Sequence, residues 1–423
     1  MIETNNKQER ALLVGVVKGR ETTEQVEENL QELALLVQTA GAEVAGEIIQ
    51  KRPEIHAALY VGKGKAEEIV STVGMLKADV VIFDDELSPA QTKNLQKLME
   101  KVRIIDRSSL ILDIFMRHAS SRESKTQVEL AQLQYLLPRL TRAWTHLERQ
   151  RGGTGTRGGM GETQIEIDRR LIRTRIATLK SDLQKIERQR DTRRKNREEM
   201  YKVALVGYTN AGKSSLMNLF SDADVLVEDK LFATLDTTVR KVVIQDHPIL
   251  LSDTVGFIHK LPHHLVASFK STLQEVEQAD LILKVIDLSS SQYEKHLETV
   301  NEVLMDLGVS EQETITVFNK IDLVKDEKTL SLAQRDHEDA VLLSVLRQVN
   351  IHGLEQAILK KRQSDYQVET LELAHNQQKL LAYLHRTTEV LSTDYEEDSL
   401  RVTIRARKGV LDQVLKQSRL AGE

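Results

Sequence analysis

The sequence contains no cysteine, which excludes disulfides, cysteine-ligated zinc and thiol catalysis together. No apolar run approaches the ~18 residues of a membrane-spanning helix. The start, Met1 to Arg10, is polar and lacks the apolar centre of a secretory signal, so a cytoplasmic protein without a membrane span is expected. Net charge is only −5, yet it is unevenly spread. Between Arg139 and Met200 stand 17 Lys and Arg against 9 Asp and Glu, which leaves −13 for the remainder. A basic segment in an acidic chain points to a localised polyanion contact rather than general coating by nucleic acid. At 423 residues, 40% hydrophobic and 29% charged, the chain has material for several ordinary cores.

What is present is organised around Gly207-Tyr208-Thr209-Asn210-Ala211-Gly212-Lys213-Ser214-Ser215. The apolar run Val203–Val206 precedes it and the amphipathic run Leu216–Phe220 follows. This is G-x-x-x-x-G-K-[ST] between a strand and a helix, the context that a phosphate-binding loop requires. The glycines let backbone N–H groups converge on an anion, and the helix start adds a positive dipole end. Lys213 is expected on the β- and γ-phosphates and Ser214 on Mg²⁺.

Companion motifs follow in the order a GTPase needs. Asp253-Thr254-Val255-Gly256 closes an apolar strand. Its carboxylate can hold Mg²⁺ through water, and the Gly256 N–H can meet the γ-phosphate. Upstream, Phe232-Ala233-Thr234-Leu235-Asp236-Thr237-Thr238 lies in a loop. Thr234 is the expected Mg²⁺ cap, with Thr237 and Thr238 as alternates that spacing does not separate. Asn319-Lys320-Ile321-Asp322 follows a further strand. The Asp322 carboxylate can accept from N1–H and the 2-amino group of guanine, a donor pair that adenine lacks. Ser344-Val345-Leu346 takes the place of a Ser-Ala-x base-edge loop, with the Val345 N–H expected on guanine O6. Catalytic weight is therefore expected on Lys213, Thr234 and Gly256, with GTP as substrate and GDP as product. Phe257 stands where many GTPases carry a water-orienting Gln, so slow unassisted hydrolysis is expected, near ~10⁻⁴ s⁻¹. Asn210 is a candidate ligand for a monovalent cation such as K⁺, whose charge would partly replace an arginine finger. His259, His263 and His264 lack an acidic partner at ligand spacing and read as a solvated helix start.

The fold expected is α/β and multidomain. Residues 1–120 alternate strand and helix, as a small parallel α/β layer does. Within them Tyr60-Val61-Gly62-Lys63-Gly64-Lys65 reads as a strand-to-helix turn, a lone G-K-G having no specificity. Residues 121–200 carry two short heptad seams, Leu130, Leu133, Leu137, Leu140, Trp144, Leu147 and then Ile172, Ile176, Leu179, Leu183, Ile186. They suggest a long antiparallel helical hairpin. Its tip is the glycine-rich run Gly152–Gly161. Residues 201–364 form a phosphate-loop GTPase domain with a Rossmann-like, mostly parallel sheet. Residues 365–423 form a small α+β domain of ferredoxin-like type.

Two readings of the tip compete. One is a flexible solvated linker. The other is RNA contact through Arg149, Arg151 and Arg157, with Gly153, Gly155 and Gly158 allowing close approach to phosphates. The lack of nearby aromatics argues against stacking on single-stranded bases.

The chain resembles the HflX GTPase family. The resemblance rests on Gly152-Gly153, Gly155, Gly158-Gly159, Gly161-Glu162, Gln164-Ile165-Glu166 and Asp168-Arg169-Arg170, on Leu110–Phe115 and Gln127–Leu133, and on Gly207–Ser214. It spans roughly residues 10 to 365. Met160 and Thr237 stand where that family often has Pro, which frees the local backbone. The resemblance implies a monomer that binds the large ribosomal subunit and ribosomal RNA, with its amino-terminal domain near the peptidyl-transferase region. It further implies a stress-response role in separating stalled or idle ribosomes into subunits, with hydrolysis stimulated by the ribosome. From the residues alone, two alternatives stand beside it: a GTP-dependent protein-binding switch, and an RNA-remodelling factor with a second nucleotide site in residues 1–120.

Overall fold

The structure is a computed structural model. It describes residues 8–143, 160–194, 200–221, 231–232, 237–260, 275–309, 312–364, 366–374, 377–395, 399–407, 411 and 414. The chain opens with β1 (Arg10–Val17), α1 (Thr23–Thr39), β2 (Glu43–Lys51), α2 (Lys63–Leu76), β3 (Val80–Phe83), α3 (Pro89–Leu98), β4 (Arg103–Asp106) and α4 (Arg107–His118). Local chemistry sets these boundaries. Thr22 and Ser88 make reciprocal capping boxes with Gln25 and Gln91, and Pro89 occupies the first position of α3. Asp106 caps α4 by accepting from the Ser109 N–H at 2.8 Å.

The four strands form a parallel sheet in the order β2-β1-β3-β4. β1 and β3 are apolar and buried, as parallel strands covered on both faces must be. One face packs Leu13, Leu30, Leu33, Ile82, Ile111 and Phe115 together. The other packs Leu12, Val14, Ile69, Val81 and Phe83. The strand order reverses between β1 and β3, so the carboxyl-end crevice lies beside Asp84 and Asp85.

Two long helices follow, α5 (Arg122–Ala143) and α6 (Met160–Arg194). Glu129 accepts from Arg175 at 2.7 and 2.8 Å. Those residues lie about equally far from the connecting segment, as in a hairpin that turns back on itself. Leu130 and Leu179 are its most buried seam positions. α6 begins at Met160, so Met160 and Gly161, expected in the tip, belong to the helix. The tip residues Arg149, Arg151, Gly153, Gly155, Arg157 and Gly158 lie outside the described residues.

The nucleotide-binding part runs β5 (Tyr201–Gly207), α7 (Lys213–Phe220), β6 (Thr238–Ile244), β7 (His247–Asp253), β8 (Leu281–Asp287), α8 (Tyr293–Asp306), β9 (Glu313–Asn319), α9 (Glu327–Asp336), β10 (Val341–Leu342) and α10 (Ile351–Ser364). Its six strands take the order β10-β9-β8-β5-β7-β6, parallel except for the β6–β7 hairpin. The chain ends in an antiparallel sheet of β11 (Tyr366–Ala374), β12 (Glu389–Tyr395) and β13 (Ser399–Arg407), with α11 (Gln378–Thr387) on its apolar face. The sequence pattern indicates β11, α11 and β13; β12 is an additional edge strand.

Tyr208, Leu231, Phe232, Val255 and Ile258 join the same core as Leu30, Ile111 and Phe115, so the first sheet and the nucleotide-binding part share buried surface. Under that core Arg107, 2% exposed, donates to Asp84 at 2.7 Å and to Glu32. Removing one member of a buried ion pair strands a charge, which costs about 3–5 kcal/mol. Asp84 keeps Lys260 and Glu32 keeps the Tyr208 hydroxyl, so Arg107→Met is expected to lower stability by about 3 kcal/mol, the low end of that range, in urea denaturation followed by circular dichroism. Adding Asp84→Asn should recover part of the loss; no recovery would show that packing, not charge, dominates there.

Candidate functional site

The site is assembled at the carboxyl ends of β5, β7 and β9. β5 is buried except at the half-buried Lys202 and ends at Gly207, with φ +154°. A Cβ at Gly207 would stand 2.1 Å from Val285 O, so only glycine lets the chain leave β5 this close to β8. Asn210 adopts a left-handed conformation, φ +60°. Gly212 does too, φ +95°, and a Cβ on it would meet Asn319 Nδ2 at 2.2 Å. Thr209 and Ala211 complete the loop, and Lys213, Ser214 and Ser215 form the first turn of α7. No side chain caps that helix, which leaves its first N–H groups directed at the loop.

Lys213 is buried, and its Nζ donates to Gly207 O at 3.0 Å and Tyr208 O at 2.8 Å. Burial pulls the ammonium down to about 8, with Asp253 pulling the other way. Its third N–H is the one available to a phosphate. Ser214 Oγ donates to Asp253 Oδ2 at 2.6 Å. The other carboxylate oxygen, Oδ1, is buried with no hydrogen-bond partner. Burial raises the Asp253 carboxyl above its ordinary range, against Lys213 and Ser214. A hydroxyl beside an unsatisfied carboxylate oxygen is an all-oxygen donor pair of the kind Mg²⁺ takes, so these residues fit that ion. His263 and His264 lie outside the described residues.

Past Asp253, the Thr254 hydroxyl is fixed to Leu205 O at 2.7 Å and Val255 is buried. Gly256 packs on Thr209. The Phe257 ring is 2% exposed and lies among Ala204, Val206, Val276 and Ile286, away from any attacking water.

At the base end, Asn319 Nδ2 donates to Ala211 O at 2.9 Å and ties this motif to the phosphate loop. Asp322 accepts from Ser344 Oγ at 2.6 Å, and Lys320 pairs with Asp287 at 2.8 Å. Leu346 is 80% exposed, an apolar surface beside the loop.

Two residues expected at the nucleotide have partners within the chain. The Val345 N–H donates to Asn319 Oδ1 at 3.0 Å. The cause is Asn319, whose amide group is held by Ala211 with its oxygen facing Val345. Phe232, expected at the nucleotide, is buried with its ring 4.6 Å from Phe115; burying an aromatic against a second core outweighs exposing it in a loop. Ala233 and Thr234 lie outside the described residues.

Local reading misses a further group. The Tyr208 ring turns away from the phosphate loop and stacks on His296, with centroids 3.9 Å apart. Its hydroxyl donates to Glu32 and accepts from the His259 N–H at 2.6 Å. Lys260 reaches Asp84 at 2.5 Å and Asp85 at 2.7 Å. Burial pushes the Asp85 carboxyl up, but Lys260, Lys18 and the Tyr60 hydroxyl outweigh it and hold it at about 2. No spacing rule could find these pairs, since Lys260 and Asp84 are 176 residues apart.

Two substitutions test the site by fluorescent-nucleotide titration. Asp322→Asn is expected to weaken guanine nucleotides by at least about 100-fold, because an unmet donor pair is strongly rejected. It should also gain xanthine nucleotides, whose 2-oxo group accepts from the new amide. Gly212→Ala should abolish binding of all nucleotides through its clash with Asn319; retained affinity would mean the loop can open.

Comparison with known proteins agrees with this arrangement. Residues 27–116 match the family described as GTP-binding GTPase N-terminal, 118–197 the GTP-binding GTPase middle region, and 202–320 the 50S ribosome-binding GTPase. GTPase HflX of Flavobacterium psychrophilum is 53% identical over 75% of this chain and 76% of its own length. GTPase HflX of Escherichia coli is 42% identical over 97% and 96%. A GTP-binding protein from Sulfolobus solfataricus, solved in complex with GDP, is 25% identical, covers 84% of this chain and 98% of its own, and superposes with a TM-score of 0.44. The motifs in order, the family matches and the two HflX relatives agree: the chain is a GTPase and belongs to the HflX family.

Proposed function

We propose that this GTPase works on the large ribosomal subunit and separates stalled or idle ribosomes into subunits, with its hydrolysis stimulated by the ribosome. The observation that carries the reading is Phe257. Its ring is packed in the core, so position 257 presents no group to orient water, and an outside surface would complete the site. The match of residues 202–320 to a ribosome-binding GTPase family supports the choice of surface.

In this reading Lys213 and the Gly256 N–H hold the γ-phosphate, Asp322 reads guanine, and Thr234 closes the loop over the triphosphate. Ser214, Thr234 and, through water, Asp253 would hold Mg²⁺, which when bound supplies positive charge to the β- and γ-phosphate oxygens. Asn210 would hold K⁺. The Gly/Arg tip, through Arg149, Arg151 and Arg157, would dock on ribosomal RNA. The division into units 1–120, 121–200, 201–364 and 365–423, a monomeric state, a cytoplasmic location and a stress-response role belong to the same proposal.

GTP turnover measured with purified large subunits should rise at least about 100-fold over the free chain, a modest part of what a supplied group can add. Unchanged turnover, with no new free-subunit peaks in sucrose gradients, would sink the reading. Replacing Arg149, Arg151 and Arg157 by Ala should weaken ribosome binding and flatten its salt slope by about one per lost phosphate contact. Turnover should also be faster in KCl than in NaCl; equal rates would remove K⁺.

A further inference from the structure

GTP hydrolysis requires the γ-phosphoryl group to reach Lys213 and the Gly256 N–H together. The approach is narrow. A Cβ on Gly256 would stand 2.8 Å from Thr209 Cα and 3.1 Å from Lys213 Nζ. One residue on, the backbone is bonded to the phosphate loop on both sides: Phe257 N–H to Gly207 O at 3.0 Å, and Thr209 N–H to Phe257 O at 2.8 Å. With Thr209 and Lys213 Nζ this close to Gly256, a phosphoryl group seated between Lys213 and the Gly256 N–H would move Gly256 outward.

Gly256 is not free to move. Three residues along, the His259 N–H is held by the Tyr208 hydroxyl, itself bonded to Glu32. Four residues along, Lys260 Nζ sits between Asp84 and Asp85 at 2.5 and 2.7 Å. The Lys260 side chain is 22% exposed and that of Asp84 3%. A charge contact at that depth is strong when made and costly when broken without replacement. Replacement is already in place. Asp84 keeps Arg107 at 2.7 Å, and Asp85 keeps Lys18 at 2.7 Å and the Tyr60 hydroxyl. Lys260 can therefore leave without stranding a buried carboxylate, which makes the contact reversible.

We propose that Lys260, seated in the Asp84–Asp85 pocket and assisted by the Tyr208 hydroxyl, is a specificity-determining residue that makes the free chain favour the diphosphate over the triphosphate. GDP makes no demand on Gly256, so its binding is indifferent to the pocket. A triphosphate binds only the fraction of molecules in which Gly256 has moved, and its apparent affinity falls by that fraction. Any partner that draws the amino-terminal sheet away from the nucleotide-binding part removes the restraint and admits GTP. The inference rests on the GTPase activity and is independent of the ribosomal reading.

The test is titration of the full chain with fluorescent GDP and with a non-hydrolysable GTP analogue. Lys260→Ala is expected to tighten the analogue by at least about fivefold, the lower range of a coupling between sites, and to change GDP by less than about twofold. Lys260→Glu, repelled by both carboxylates, should do the same or more. Lys260→Arg, which keeps the charge between the two carboxylates, should retain discrimination, a rescue that a purely structural role would not give. Tyr208→Phe, which deletes both hydroxyl contacts and little volume, should move the analogue in the same direction. Equal shifts for the two nucleotides, or no shift in either, overturn the proposal.

Discussion

The carbonyl oxygen of Val285 stands where a side chain at position 207 would have to go. That contact forces glycine at the end of β5 and lets the loop begin inside the sheet. The Lys213 ammonium then finds two carbonyls to anchor it, and Asp253 on the neighbouring strand falls within reach of Ser214. Asn319, two strands from β5 on its other side, closes the assembly by gripping Ala211. Phosphate recognition and base recognition are thereby parts of one rigid object, held by backbone oxygens and not by long flexible side chains.

A second rigid object abuts it. The first sheet presents acidic groups at its carboxyl edge, Asp84 and Asp85 with Glu32 and Glu28 on α1, and the nucleotide-binding part answers with Lys260, Lys295 and the Tyr208 hydroxyl. The apolar part of this contact, Phe115 on Phe232 with Ile258 and Val255, gives adhesion without direction. The charged part gives register, and it concentrates on the segment after Gly256. A fold that needed only adhesion between these parts would have little use for four carboxylates there.

Much of this was legible in the sequence. The loop, its strand and its helix follow from glycine placement and one-sided apolar spacing, and the helix from Lys63 follows from Gly62 and the change of period. Asp322 and Asn319 are recognisable because the chemistry of guanine allows few alternatives. Other features were hidden for identifiable reasons. β12 is an edge strand with most residues exposed, so Glu389–Tyr395 carries little alternation to read. The helix beginning at Met160 absorbs a glycine that looks like a tip residue. The fates of Phe232, Val345 and Lys260 depend on neighbours from distant segments, and periodicity carries no information about those.

The buried ring of Phe257 has a consequence for time. At an unassisted rate of about 10⁻⁴ s⁻¹, a bound GTP would escape hydrolysis for roughly two to three hours. On the free chain, where the pocket around Lys260 disfavours the triphosphate, that nucleotide would leave by dissociation before it was hydrolysed; a chain loaded beside a partner would keep it until the site was completed. How long it stays loaded would be decided by encounter, and a phenyl ring turned into a core would set that long clock by offering the water no hydrogen-bonding group at its position.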